Sequence, residues 1–216
     1  MTEAPHDRFA KFSGIVKTLS DIREHIGEPS PPVIAKVMNY LDAVSRAIIE
    51  TSPFIVIASA TPDGYPDISP KGDPVGFVKV LDEKYLAIPD RPGNNRVDTF
   101  GNLLKNPHLA VLFLIPGKGE TLRVTGETRI VRDLPLRESL AVNGRVPEFA
   151  IVLHVERVLI HCPKCVIRSK LWKPEEWPDS SSTADIEDAM IVHAKLDATR
   201  EQLIAFAEQQ GLTRLY

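Results

Sequence analysis

Five cations stand where apolar runs end. "DISPKGD" at 67–73 carries Lys71, "DRPGNNR" at 90–96 carries Arg91 and Arg96, and "IRSKLW" at 167–172 carries Arg168 and Lys170. Cations offered from strand ends and turns suit a phosphorylated small molecule, because an anionic oxygen makes its strongest hydrogen bonds to charged donors. Gly93 and the pair Asn94-Asn95 suit a bend in which backbone N–H groups point outward as an anion nest. Any one of these segments is ordinary turn chemistry or a solvated charge. Their joint placement at three strand ends is what points to a phosphate site.

"HCPKC" offers a second chemistry. His161, Cys162 and Cys165 supply three clustered metal-type ligands, and the chain has no other cysteine. A metal centre normally needs four ligands. A redox dithiol usually opens a helix beside a parallel sheet, whereas this one follows a strand. Structural cysteines are the preferred reading, with redox sensing and metal binding as the alternatives. His25, His108, His154 and His193 show no partner spacing, and no G-x-G-x-x-G string is present for a dinucleotide fold.

The elements that must position these residues follow from periodicity. Phe12, Ile15, Val16, Leu19, Ile22 and Ile26 recur at three- and four-residue steps, which predicts a helix from about Phe9 that stops at Gly27 and "EPSPP". Ile34, Val37, Leu41, Val44 and Ile48 predict a second helix from Val33 to Glu50; both stripes read as core or dimer packing. The pattern then changes to short runs rich in Val, Ile, Leu and Phe, separated by Gly, Pro, Asn and Asp: "SPFIVIASA", "DISPKGDP", "VGFVKVLD", "KYLAIP", "LAVLFLIP", "TLRVTGETRIV" and "AIVLHVERVLIHC". "TPDGYP" reads as a turn between the first two, and Asp98–Lys105 and Leu134–Asn143 as short helices. Such runs with few helices between them predict an antiparallel sheet closed into a barrel. "KPEEWPDSSSTAD" reads as a loop, and residues 185–210 as one or two surface helices. The expected organisation is a helical extension at 1–50, a barrel domain at 51–178 and a helical tail at 179–216.

Composition sets outer limits. The chain of 216 residues is 43% hydrophobic and 25% charged, with a net charge of −3. No strong positive field is available to attract nucleic acid or an anionic membrane. No apolar run of about eighteen residues is present to span a bilayer. The polar start "MTEAPHDRFAKF" has no apolar signal core, and two cysteines suit a reducing compartment, so the expected location is cytoplasmic.

In their order these motifs resemble the pyridoxamine 5′-phosphate oxidase-like, FMN-binding split-barrel proteins. The resembling parts are "SPFIVIASATPDGYPDISPKGDPVGFV", "LAIPDRPGNNRVDTFGNLLKNPHLAVLFLIPG", "ETLRVTGETRIV" and "HCPKCVIRSKLW", and they run from about Ser52 to Trp172. The match is to a branch sharing the "SPKGD", "RPGN-R" and "RS-LW" pieces rather than to the vitamin-B6 oxidase. The resemblance implies a mainly β fold with some α: an antiparallel, Greek-key-like split β-barrel with helices at both ends. It implies FMN at the interface of a homodimer. Lys71, Asn95 and Arg96 would hold the phosphate, with Arg91 and Asn94 beside them. The extended backbone of Asp67, Ile68, Ser69 and Pro70 would lie along the isoalloxazine ring. Thr121 and Leu122, in "TLR", would approach the ring from another strand. Arg168, Ser169, Leu171 and Trp172 would reach the flavin from the other subunit, and the cysteines would belong to the flavin-side strand. The implied activity is an FMN-dependent oxidoreductase acting on a small molecule. A non-catalytic flavin or haem binder and a deazaflavin-dependent reductase are the rivals.

Overall fold

The "PDGYP" turn after the first apolar run seeds the sheet. In the computed structural model, which describes residues 7–215, Gly64 takes the left-handed φ of +87° that the bend requires. β1 (Phe54–Ala60) and β2 (Pro66–Gly72) flank it and pair antiparallel from Phe54↔Gly72 to Ala60↔Pro66. β3 (Lys79–Val80), β4 (Tyr85–Pro89), β5 (His108–Leu114), β6 (Thr121–Val131) and β7 (Ala150–His161) complete seven strands in the order β2-β1-β5-β6-β7-β4-β3. Every pairing is antiparallel.

Alternation along the strands selects the inner face. β1 and β5 each bury every second residue. Ile55 and Ile57, Val111 and Phe113, Leu122 and Val124, Leu153 and Val155, and Leu86 and Ile88 come from five strands and form one buried cluster. A flat sheet of this width could not bring all of them together, so the sheet curls around them as an antiparallel split barrel. Gly126 marks the register shift of the long β6–β7 ladder between Thr125 and Gly126. A Cβ there would collide with the His154 carbonyl oxygen, so no other residue fits.

The chain divides into Met1–Lys36 and Val37–Tyr216. In the first unit, α1 (Leu19–Ile26) begins at a capping box, with the Asp21 N–H donating to Thr18 Oγ1 at 3.2 Å and the Thr18 N–H to Asp21 Oδ2 at 3.3 Å. α2 (Pro31–Ala35) follows, and neither helix buries a residue. Two sequence expectations are corrected here. Phe9–Thr18 is turn and extended chain rather than helix, with Gly14 at φ +69° interrupting it. The predicted helix Val33–Glu50 is two helices, α2 and α3 (Ala43–Thr51). Between them Met38 bridges to Val158 of β7, its N–H donating at 3.1 Å and its carbonyl accepting at 2.7 Å. These two bonds outcompete continuation of the helix, and α3 restarts on Asp42, whose carboxylate accepts from the Ser45 N–H at 2.8 Å.

The remaining helices are α4 (Asp98–Leu103), α5 (Leu134–Ser139), α6 (Lys164–Ser169), α7 (Ile186–Ala194) and α8 (Arg200–Gln209). Among the described residues no helix is long and apolar enough to cross a membrane. The reading of a polar chain start, and the first six residues and Tyr216 of the expected terminal segments, lie partly outside the described residues.

Candidate functional site

β2 is an edge strand, so the side facing away from β1 presents backbone N–H and C=O groups without a ladder partner. Along that side runs a cleft of about 450 Å³. Asp67, Ile68, Ser69, Pro70 and Lys71 form one wall; the loop Asp90–Val97 and the first turn of α4 form the other. Ile88, Ile151 and Phe100 provide its apolar surface. Nine of the residues singled out from sequence therefore line one cleft: Asp67, Ile68, Ser69, Pro70, Lys71, Arg91, Asn94, Asn95 and Arg96.

The loop is shaped by its own polar side chains. Asn94 Oδ1 accepts from the Arg96 N–H at 3.1 Å, closing an Asx-turn. Asn95 and Val97 both take left-handed φ values, +60° and +51°. Asparagine tolerates this conformation, but a β-branched valine does not adopt it without strain. Val97 is held there as the residue that leads into α4, whose Thr99 hydroxyl reaches Asp67 Oδ2 at 3.4 Å and ties the helix to β2.

The charges differ in their commitments. Arg91 is committed within the protein: its Nε donates to Asp73 Oδ2 at 2.5 Å and its Nη2 to the Leu140 carbonyl at 2.9 Å. The Asp73 side chain is only 2% exposed. Arg96 is 72% exposed and pairs with Asp98 at 2.6 Å, and that carboxylate holds the guanidinium pKa above its ordinary value. Asp90, at the end of β4, is half-buried, and burial pushes its carboxyl pKa up against the opposing pull of Lys71. A second cleft of about 370 Å³ lies behind the loop and shares Asp90, Arg91, Pro92 and Asn95 with the first. Asp90, Asp98 and Thr99 were not singled out from sequence; the one signal for Asp90 was a charge directly after an apolar strand.

The other predicted residues lie elsewhere. Thr121 and Leu122 open β6, and Leu122 is a core residue at 1% exposure between Phe113 and Ile160. Arg168 and Ser169 lie on α6, and Leu171 and Trp172 follow it; none lines the cleft of its own chain. The expectation that the cysteines belong to a strand is corrected here. β7 ends at His161, and Cys165 lies in α6. The segment is pinned instead to the β5–β6 turn, with Trp172 Nε1 donating to the Lys118 carbonyl at 2.7 Å.

Comparison with known proteins adds a family. A family model described as pyridoxamine 5′-phosphate oxidase matches residues 41–162, more than half of the chain. A search among curated proteins finds no match. Similar solved structures include HupZ of Group A Streptococcus, at 20% identity and a TM-score of 0.45, over 55% of this chain and 91% of that one. General Stress Protein 26 from Bacillus anthracis is 15% identical, with a TM-score of 0.41, over 53% and 88%. A pyridoxamine 5′-phosphate oxidase-related, FMN binding protein from Nostoc punctiforme is 13% identical, with a TM-score of 0.41, over 56% and 83%.

Proposed function

Taking as premise that the chain belongs to the pyridoxamine 5′-phosphate oxidase family, we propose that it binds FMN in the cleft along β2 and acts as an FMN-dependent oxidoreductase on a small molecule. The observation that carries this reading is the convergence of an unpaired strand edge, Asp67–Lys71, and a cationic bend, Asn94–Arg96, on one cleft. The residues present fit the group. A volume of about 450 Å³ falls in the roughly 300–1,000 Å³ range of small-ligand sites. The strand edge supplies donors and acceptors for a planar heterocycle's polar rim, and Ile88, Ile151 and Phe100 supply apolar surface. Lys71 and Arg96 supply charge for a phosphate, with Arg96 exchanging its exposed bond to Asp98 for a stronger, more enclosed partner.

When bound, the flavin supplies hydride and electron transfer. The chain's own part is to hold the ring edge, neutralise the phosphate and set the polarity of the pocket. Asp90 is the cleft carboxyl best suited to hold a proton, because its partial burial disfavours the ionised form.

The same reading makes the protein a homodimer. Ile68, Val97 and Leu104 are 68%, 63% and 79% exposed on the elements that border the cleft, an apolar rim suited to a second subunit. Arg168 and Leu171, exposed on the α6 segment, and the ring face of Trp172, whose N–H is tied to the Lys118 carbonyl, are proposed to reach the partner's flavin.

The absorption spectrum tests the proposal. Purified protein should show flavin bands, and denaturation should release FMN. A colourless protein that also ignores added FMN in a titration sinks the reading. Reduction by a nicotinamide donor followed by sustained turnover with oxygen separates an enzyme from a carrier. A monomer by sedimentation that keeps its FMN refutes the shared site while leaving the cleft assignment standing.

A further inference from the structure

Cys162 and Cys165, the chain's two cysteines, are both free and exposed. Between them Pro163 sits at φ −76°, ψ 0°, and Lys164 begins α6. Two consecutive residues in right-handed conformation form a turn, which brings the flanking Cα atoms within about 7 Å. A disulfide spans Cα separations of about 4.4–6.8 Å, so the two thiols are within bonding reach without unfolding the turn.

The turn is mechanically tied to the segment that follows. Pro163 packs against the backbone of Gly119, where a Cβ would lie 2.5 Å from the proline Cβ. Trp172 Nε1 donates to the Lys118 carbonyl on the same β5–β6 turn at 2.7 Å, and Trp177 Nε1 to the Lys170 carbonyl at 3.2 Å. Between these anchors lies α6, six residues long, with Pro163 at its N-cap and no side-chain cap bond. A helix this short with an uncapped start depends on tertiary anchors for its stability. A covalent link from Cys162 to the first turn would restrain that uncapped start by narrowing its conformational freedom.

We propose that Cys162 and Cys165 form a reversible disulfide that locks α6 and thereby sets the presentation of Arg168, Leu171 and Trp172. The oxidant is a low-molecular-weight disulfide. One cysteine, as thiolate, attacks a sulfur of that disulfide and releases one small thiol. The second thiolate then attacks the mixed disulfide, forms the Cys162–Cys165 bond and releases the other small thiol. Two protein thiols and one disulfide become one protein disulfide and two small thiols; each proton given up by a cysteine is taken up by a departing thiolate. The reverse exchange with a dithiol reopens the turn. This inference stands on the local geometry of the segment and is independent of what the cleft binds.

Both of the chain's tryptophans, Trp172 and Trp177, lie just beyond α6, so selectively excited tryptophan emission reports on this segment alone. The test treats reduced full-length protein with oxidised glutathione. The expected result is two titratable thiols before treatment and none after, a mass lower by two hydrogens, no retained glutathione and a changed tryptophan emission. Amide exchange should slow over 164–172, and dithiothreitol should restore the starting state. Cys162→Ser and Cys165→Ser should each retain one glutathione and keep the reduced emission spectrum. Thiols that react only after denaturation overturn the proposal. So do wild-type protein that retains glutathione, a cross-link between chains on a non-reducing gel, or a disulfide that closes with emission and amide exchange unchanged. None of these readouts uses flavin absorbance, so failure here is distinct from failure of the FMN reading.

Discussion

Arg91 and Arg96 stand five residues apart in one loop and line the same cleft, yet they belong to different parts of the molecule. Arg91 lies at the end of β4, its side chain 15% exposed, joined to a carboxylate that is itself 2% exposed and to a backbone carbonyl. Arg96 lies beyond the Asx-turn, 72% exposed, with one exposed carboxylate for company. The first is a strut that fastens the loop to Asp73 and to the residue after α5. The second is available to a ligand. What separates them is the partner each finds and the water each keeps, which residue type and spacing do not reveal.

Removing the strut should have the largest effect. Arg91→Ala leaves the Asp73 carboxylate buried without the guanidinium 2.5 Å away. Breaking one partner out of a buried pair costs on the order of 3–5 kcal/mol. Chemical denaturation of the variant should show a loss of that size. A midpoint within experimental error of wild type would show that Arg91 is no strut and erase the contrast between the two arginines.

Leu122 sharpens the same contrast from the core side. Leu122→Ala removes a side chain that is 1% exposed in the barrel interior, and core truncations of this kind cost about 2–5 kcal/mol. The expected outcome is reduced stability with FMN affinity preserved in the folded fraction, read by denaturation and flavin titration together. Lost affinity at preserved stability would return Leu122 to the ring contact implied by the family resemblance.

Arg96→Ala should do the reverse. Folding should hardly change, because its pair with Asp98 is exposed and such pairs contribute little. FMN affinity should fall roughly ten- to a hundredfold, the loss of one charge-assisted contact to a phosphate. Lysine should restore part of it, offering a point charge in place of a planar fork. Riboflavin, which lacks the phosphate, should bind wild type and variant alike. Equal weakening of riboflavin and FMN would assign Arg96 to the ring or the fold.

Most strands were legible because they are local apolar runs bounded by turn residues, and the "PDGYP" turn and α4 were readable from local signals too; β2, with one isoleucine among polar residues and prolines, was legible only as the extended chain after that turn. The break before α3 was not. Its cause is a pair of hydrogen bonds from Met38 to Val158, far along the chain, and no periodicity within residues 33–50 encodes them. The cleft wall at 67–71 and the bend at 94–96 could be found as strings. The division of labour between Arg91 and Arg96 could not, since it depends on Asp73 and Leu140 arriving from other elements. The burial of Leu122 was not legible for a similar reason: alternation shows that a strand has two faces but not which one is shut into the barrel. Asp90 escaped notice because a single acid after a strand looks like any surface charge, and only its burial beside Lys71 sets it apart.

The smallest effect concerns the second pair of like residues in this loop region, Asp73 and Asp90. Asp73 is buried but matched by Arg91; Asp90 is half-buried, and burial raises its pKa above the ordinary 3.8 despite Lys71 and Arg91. A carboxyl whose folded pKa lies above its unfolded value binds protons more tightly in the native state. Its stabilising contribution is complete below the unfolded value and is lost as pH rises through the folded one. Asp90→Asn removes that titration. The variant should therefore gain stability relative to wild type as pH climbs from below 3.8 towards neutrality, with the difference levelling off once Asp90 is fully ionised. On the FMN reading it also removes a negative charge from the phosphate's surroundings, so FMN should bind the variant a few-fold more tightly at neutral pH, with the advantage shrinking as pH falls. Denaturation midpoints and flavin titrations across a pH series check both arms. A stability difference that grows in the opposite direction would mean that Asp90 is held ionised by Lys71 and Arg91, making it a second strut rather than the cleft's proton-holding group.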